Sequence, residues 1–556
     1  MSAPERLELT LQDFEDRFGD RHLLHGVVEK WAREKPSEIA LIDSERGKRT
    51  TWAEFESSAT ALALHLLRLG FNKGDCFASL LPLTSEHLFI EYACFKLGCI
   101  FVPLDLRLPS AEILRSLRLV NAKGFAFLKV PGIQDIQRFT EDVRSQLELK
   151  AFLQLGAPTE CVEGATPLPL FLREAATSAR NEALIASYRQ ISVRETDGAL
   201  VIFTTGSTGS PKPALLSHRN ISCQAMCISQ ALLHGQGDLV TLVNLPPSHV
   251  GCQTELLMGT VFEGGTAVLV SVFDPAKSLQ AIQDYRVTAL GQIPAMFQFE
   301  WRLKNYDTHD LSSLDFAAYG GQQVSAAFID KMATMAPNVG TGLGLTETAG
   351  FCTYIRRDAV HASDCVTTLG WAMPIYPMTI RAAMKPDGSA GEELAPGELG
   401  HVCFRGPQTF LGYINDPAAT AAAISGDGYL YTGDIGSSHA DGLHMAGRAK
   451  LVIKSGGYQV FPGDIENHFC RLDEVASCAV VGVEHPILSE VIVAFIEKKP
   501  GVELTQPMLE KHARGLATYM RPRNYVVLET GEIPLNRVAK ADYMVLRERA
   551  KNSIRD

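Results

Sequence analysis

Residues 203–213 read FTTGSTGSPKP. Small hydroxyl side chains and glycines stand side by side, and Lys212 adds a single cation between Pro211 and Pro213. A turn of this kind directly after the apolar stretch ALVIF can close around phosphate oxygens, because glycine lets backbone N–H groups approach and the hydroxyls add donors. Thr204, Thr205, Gly206, Ser207, Thr208, Gly209 and Lys212 are therefore candidate ligands for the phosphates of ATP. The pattern is not a P-loop, which requires Gly-Lys-Ser/Thr. A helix over NISCQAMCISQALL is expected after the loop, with the strand before it.

Further segments recur in a fixed order: LPPSHVG (245–251), YGGQQVS (319–325), GLGLTET (342–348), GELGHVCFRGPQTFLGYINDP (397–417), YLYTGDIG (429–436), GRAKLVIKSGGYQVFPGDIE (447–466) and IPLNRVAKADYMVLRE (533–548). Together with the phosphate loop they resemble the adenylate-forming superfamily of acyl-CoA synthetases, nonribosomal peptide synthetase adenylation domains and beetle luciferase. The resemblance runs through nearly the whole chain and is nearest to an acyl- or aryl-CoA synthetase. It implies that a carboxylic acid is joined to AMP from ATP with loss of pyrophosphate, and that the acyl group then passes to a thiol with loss of AMP. Two anions must meet in the first step, so the site has to neutralise charge.

The same resemblance implies roles for individual residues. Lys540 matches the catalytic lysine between carboxylate and α-phosphate; Glu347 matches the Mg²⁺ ligand, with Thr346 beside it on the phosphates. Gly321, Gln322, Gln323 and Leu343 fall in the ATP site, and Leu343 stands where the family commonly stacks a tyrosine on adenine. Asp434 and Arg448 match the ribose contacts, and Lys450 the hinge about which a small domain turns between half-reactions. Ser455, Gly456 and Gly457 then line a pantetheine tunnel. His249 stands at the mouth of an acyl pocket whose walls come from Gln292, Met296, Tyr319, Gly320, Leu345 and Phe351.

The sequence departs from the family pattern at Pro213, Ala539 and Asp464 without losing a catalytic group. No carboxylate follows the LPP strand to hold an α-ammonium, which argues against an amino acid substrate. ATP, Mg²⁺ and CoA as co-substrate are the implied partners of a small carboxylic acid. The alternative acceptor is the phosphopantetheine of an acyl carrier protein, and a catalytically silent nucleotide-binding relative is the reading outside enzymes.

Elements must position these residues. TTWAEFESSATALALHLLRLG opens with a capping box, Thr50-Thr51 to Glu54, and carries Phe55, Leu62, Leu66 and Leu69 at helical spacing. Short β-branched runs at 76–82, 99–105, 198–205, 239–247, 265–273 and 287–294 alternate with helical stretches, which predicts an α/β fold with mainly parallel sheet. Near residue 390 the texture turns Gly- and Pro-rich, with two Asp-Gly hairpins expected over 427–450 and a small β-barrel-like subdomain. The predicted organisation is a large domain over 1–447, a hinge over 448–450 and a small mobile α+β domain over 451–556.

With 556 residues, 46% hydrophobic, the chain can fill more than one core. A net charge of −11 without basic runs argues against nucleic acid. Twelve cysteines without CxxC pairs read as reduced thiols of a cytoplasmic protein rather than a zinc or disulfide framework. No membrane span is expected, and the C-terminal SIRD is not a peroxisomal signal.

Overall fold

The computed structural model describes residues 7–204, 211–233, 238–355, 362–535 and 541–553. The capping box forms as the sequence requires: the Thr51 hydroxyl accepts the Glu54 N–H at 3.2 Å, and the Glu54 carboxylate accepts the Thr51 N–H at 2.8 Å. Helix Trp52–Arg68 follows with Phe55, Leu62 and Leu66 buried, and Gly70 turns the chain away at φ 83°. Helix Ser85–Leu97 is buried on every side, with only Glu86 reaching the surface. Such a helix needs protein all around it.

Two sheets supply those surroundings, and the predicted strands are divided between them. The first has seven strands in the order Asn338–Gly340, Phe316–Tyr319, Ala289–Gln292, Val240–Val243, Thr266–Leu269, Ile39–Asp43 and Lys48–Thr51, parallel except for the last pair. The second has eight: Gly412–Tyr413, Lys212–Ser217, Gly198–Thr204, Ile100–Pro103, Cys76–Leu80, Gly124–Phe127, Ala151–Gln154 and Thr166–Pro167. It is parallel from Gly198–Thr204 onward and antiparallel across its first three strands.

Side-chain alternation along these strands builds the layers. Leu41, Ala267 and Phe316 of the first sheet and Phe77, Phe101 and Leu200 of the second pack into one core with helices Trp52–Arg68, Ser85–Leu97 and His218–Ile228. The opposite faces, represented by Val268, Leu290 and Ala317 in one sheet and Val102, Phe125 and Val201 in the other, carry separate cores under outer helices. One helical layer is thus shared by two sheets, each covered on both faces.

Three local expectations change. The phosphate loop does not run into a helix: the chain returns as strand Lys212–Ser217, with Thr204 directly opposite Lys212, and the helix begins only at His218. Of the two Asp-Gly hairpins, Asp441-Gly442 joins the long strands Leu430–His439 and Gly442–Arg448, whereas Asp427-Gly428 closes a turn held by a single bridge between Ile424 and Leu430. The small β-barrel-like unit takes the form of a four-stranded antiparallel sheet, Met378–Arg381, Gly400–Phe404, Leu430–His439 and Gly442–Arg448, whose path does not return on itself.

After Arg448 a single helical turn, Ala449–Leu451, leads to a smaller five-stranded sheet with helices Pro462–Phe469 and Gln506–Ala513 over one face and Tyr543–Ser553 over the other. No disulfide joins the twelve cysteines. Among the described residues no helix is long and apolar enough to cross a membrane.

His87 and Glu91, one turn apart on the central helix, are fully buried with Nε2 and Oε2 3.9 Å apart. Burial pushes the Glu91 carboxyl up to about 8 and the His87 imidazole down to about 3, so both are neutral at pH 7 and the contact is not an ion pair. In the unfolded chain Glu91 ionises near its ordinary 4.5. Stability therefore falls as pH rises from there towards 8, by about 3 kcal/mol at pH 7. Glu91→Gln is expected to raise the thermal midpoint at pH 8 and to change it little at pH 4.5, read by calorimetry across pH; a pH-independent difference would contradict a neutral Glu91.

Candidate active site

The segments singled out in the sequence leave the carboxyl ends of the parallel strands. Asp105 follows Ile100–Pro103, the phosphate loop follows Gly198–Thr204, His249 follows Val240–Val243, and Gly320 follows Phe316–Tyr319. A cleft of about 50 Å³ is lined by Leu104 and Asp105, by Phe203 and Thr204, and by Ser248 and His249, so strand ends of both sheets meet at one place. Ligand crevices of open α/β sheets lie at such ends.

Thr204 is buried at the last rung of its strand, and Lys212 faces it across the ladder. The predicted ligands Thr205, Gly206, Ser207, Thr208 and Gly209 lie outside the described residues, as does Lys540. Lys212 does not stand alone. Its ammonium lies 5.1 Å from the ring centre of Tyr413, which is held by the antiparallel pairing of Gly412–Tyr413 with Lys212–Ser217. The Tyr413 hydroxyl donates to Glu347 Oε1 at 2.5 Å. Burial, with the neighbouring Glu347 charge, pushes the phenol far above its ordinary range, so it remains a donor. Lysine, phenol and carboxylate thus form one chain that starts opposite Thr204. Tyr413 belongs to the FLGYINDP segment but carries no chemical signature of its own; only strand pairing reveals it.

Thr346 and Glu347 sit in a short helical turn, Thr346–Thr348, and both are half-buried. Glu347 offers one carboxylate, with its other oxygen free of any donor among the described residues. That donor set suits Mg²⁺, which takes one or two carboxylates and completes its shell with phosphate and water oxygens. Among the described residues no group of three His, Cys, Asp or Glu forms a closed cage.

Asp434 is 1% exposed and lies directly opposite Arg448 in the four-stranded sheet, with Arg448 Nε 2.8 Å from Asp434 Oδ1. The two predicted ribose contacts are therefore one ion pair. Gly321, Gln322 and Gln323 are exposed just past the Phe316–Tyr319 strand, and half-buried Leu343 is tied to the next segment by its N–H to Thr353 and its carbonyl to Cys352. Lys450 is exposed within the connecting turn; Ser455 ends one hairpin strand, with Gly456 and Gly457 exposed in the turn at φ 57° and 86°.

The predicted acyl pocket separates into two groups. Gly320, Leu345 and Phe351 lie on the inner side of the first sheet: a β-carbon on Gly320 would come within 3.2 Å of the Phe351 ring. Gln292 and Tyr319, in register on neighbouring strands, project to the outer side. The Gln292 amide donates to Glu300 Oε1 at 2.7 Å, and Tyr319 packs on Phe328 and donates to the Cys365 carbonyl. Both are buried in outer packing rather than presented to the Phe351 side, because strand alternation puts Gly291 inward and Gln292 outward. Met296 is buried on the outer helix Pro294–Trp301. His249 remains at the cleft; burial, with Arg107 adding, holds its imidazole below the usual range against the pull of Asp105.

The AMP-binding enzyme family model matches residues 28–414, and the AMP-binding enzyme C-terminal domain model matches residues 464–540. The chain belongs to the AMP-binding enzyme family. It is 29% identical over 482 residues to a feruloyl-CoA synthase of Amycolatopsis sp, covering 86% of this chain and 90% of that protein. It is 26% identical over 528 residues to 4-coumarate–CoA ligase 3 of Oryza sativa subsp. japonica, covering 93% of this chain and 90% of that one. The fold is that of ATP-bound MatB from Rhodopseudomonas palustris, with a TM-score of 0.82 at 22% identity over 96% of this chain and 100% of that one.

In this AMP-binding enzyme, the hydrogen bond from Tyr413 to the Glu347 carboxylate is of the charge-assisted kind. Tyr413→Phe removes a bond to a charged group that is worth ~1.5 kcal/mol and exists before any nucleotide binds, so it is expected to lower the thermal midpoint and, by leaving Glu347 unpositioned, to weaken MgATP binding. Calorimetric titration checks it; unaltered affinity would detach Tyr413 from the nucleotide site.

Proposed function

We propose that this enzyme is an acid–thiol ligase that activates a carboxylic acid with ATP and transfers the acyl group to CoA. The observation that carries the reading is the Lys212–Tyr413–Glu347 chain starting opposite Thr204, in a family that binds AMP and among relatives named as a CoA synthase and a CoA ligase. Those names favour CoA over a carrier protein as acceptor. Nine buried thiols suit a reducing compartment, the cytoplasm.

In the first step a carboxylate oxygen attacks the α-phosphorus, the bond to the bridging oxygen of the β-phosphate breaks, and pyrophosphate leaves. Lys212 and the hydroxyls of the loop hold the phosphates, and Lys540 meets the two anions as they approach. Glu347 would hold Mg²⁺, which when bound would supply further neutralisation of phosphate charge. Asp434, fixed by Arg448, takes the ribose hydroxyls. In the second step the CoA sulfur attacks the acyl carbon as its thiol proton passes to solvent, and the bond between the acyl carbon and the phosphate-bound oxygen breaks, so that AMP leaves carrying the former carboxylate oxygen.

The proposed division is a large domain over 1–447, a hinge over 448–450 with Lys450 at its centre, and a small domain over 451–556. The hinge position fits the single turn Ala449–Leu451 between two separately packed regions. Rotation there exchanges Lys540 for the Ser455-Gly456-Gly457 turn at the active site.

Lys540→Ala is expected to abolish acid-dependent exchange of labelled pyrophosphate into ATP, yet to leave thioester formation from a supplied acyl-adenylate largely intact. Gly457→Leu is expected to do the reverse. At φ 86° any side chain adds local strain, although a β-carbon there meets no neighbouring atom within 4 Å, so the thermal midpoint accompanies the assay. Equal loss of both steps in the Lys540 variant contradicts the division of labour, and normal thioester output in a folded Gly457 variant contradicts the tunnel.

A further inference from the structure

A carboxyl outside the predicted set is hydrogen-bonded to Phe351, one of the predicted acyl-pocket residues. Residues Gly251–Leu257, immediately after His249, form a π-helical turn, a rare conformation that gathers at functional sites. Cys252, Gln253, Thr254 and Leu257 point from it into the core, whereas Glu255 is half-buried. Its Oε1 accepts the Phe351 N–H at 2.7 Å. Gly350 makes that contact possible, since a β-carbon there, at φ 127°, would stand 2.8 Å from both Oε1 and Cγ of Glu255.

The second oxygen differs. No donor among the described residues meets Glu255 Oε2, and unlike the sealed carboxyls of Glu91 and Glu300 it is reachable from solvent. It lies 3.5 Å from where a β-carbon on Gly251 would stand, on the side of Leu245 and two residues past His249. The other wall is the Phe351 ring, pressed against Gly320 and Gly344. Glu255 therefore offers one fixed acceptor beside the apolar side chains of Leu245 and Phe351, anchored through its other oxygen.

We propose that Glu255 is a specificity-determining residue that accepts a hydrogen bond from a hydroxyl group on the distal part of the carboxylic acid. The proposal rests on the acid-activating reading above. A polar group buried in an apolar wall penalises any ligand that leaves it unpaired, so an acid with a donor at that position is selected against its unsubstituted analogue. Burial pushes the Glu255 carboxyl up to about 7, against the Phe351 N–H, so at neutral pH the group is not held as a permanent anion awaiting a cation. A neutral hydroxyl donor matches that environment better than an ammonium group.

The test is pyrophosphate exchange with two matched pairs, 4-hydroxycinnamate against cinnamate and 8-hydroxyoctanoate against octanoate, within a wider panel of acids. The wild-type enzyme is expected to show at least ~10-fold higher kcat/KM for the hydroxylated member of an accepted pair. Glu255→Leu is expected to remove or invert that preference while still exchanging with the unsubstituted acid. Glu255→Gln keeps an acceptor for the Phe351 N–H and puts an NH₂ donor in place of Oε2, so a reduced preference is expected even if the leucine variant folds poorly. Exchange without preference for a hydroxylated acid, or a preference retained in both variants, overturns the assignment of Glu255 and leaves acid activation standing. Absence of exchange with every acid overturns the activation reading and this proposal with it.

Discussion

The structure depends on one layer of helices being shared by two sheets. Helix Ser85–Leu97 has no outward face, so neither sheet alone can complete its burial. Pressing a second sheet onto the same helices makes the inner faces of both sheets one continuous core, running from Leu41 and Ala267 to Phe101 and Leu200. The arrangement also has a chemical consequence. Parallel strands of both sheets deliver their carboxyl ends to one seam, and Asp105, Thr204 and His249, far apart in sequence, line a single cleft there.

Charge is treated differently on the two sides of that seam. Within the layers, Glu91 and Glu300 are fully buried without a cation, and burial pushes each up to about 8, so they sit in the core as neutral acids. At the proposed nucleotide site the carboxylates have dedicated partners instead: Arg448 beside Asp434 and the Tyr413 hydroxyl on Glu347. Glu255 stands between these cases, with one oxygen anchored and the other open. Partnering, rather than acidity alone, separates the groups suited to holding a nucleotide and metal from those that merely tolerate burial.

Much of this was legible in the sequence because it is local. The Thr51–Glu54 capping box, the β-branched runs and the return to antiparallel strands near residue 400 depend on neighbours a few positions away. What was not legible depends on pairing across space. Lys212–Ser217 was hidden because Pro211 and Pro213 suggest a loop, yet Pro213 pairs opposite Phe203 at a position where its missing N–H is tolerated. Tyr413 enters the site only because its two-residue strand joins that same edge. The assignment of Gln292 and Tyr319 to a pocket followed family position, and the strand period of two sends them to the outer side. Glu255 was missed because its exposure follows from a π-helical turn that no periodicity announces.

The central claim is that the two sheets and the four-stranded unit together enclose a single AMP site. A crystal structure with AMP bound tests it most directly. The account predicts the ribose hydroxyls at Asp434 beside Arg448, and the phosphate between Thr204, Lys212 and Glu347. AMP ordered elsewhere on the molecule, with the Asp434–Arg448 pair untouched, would contradict it.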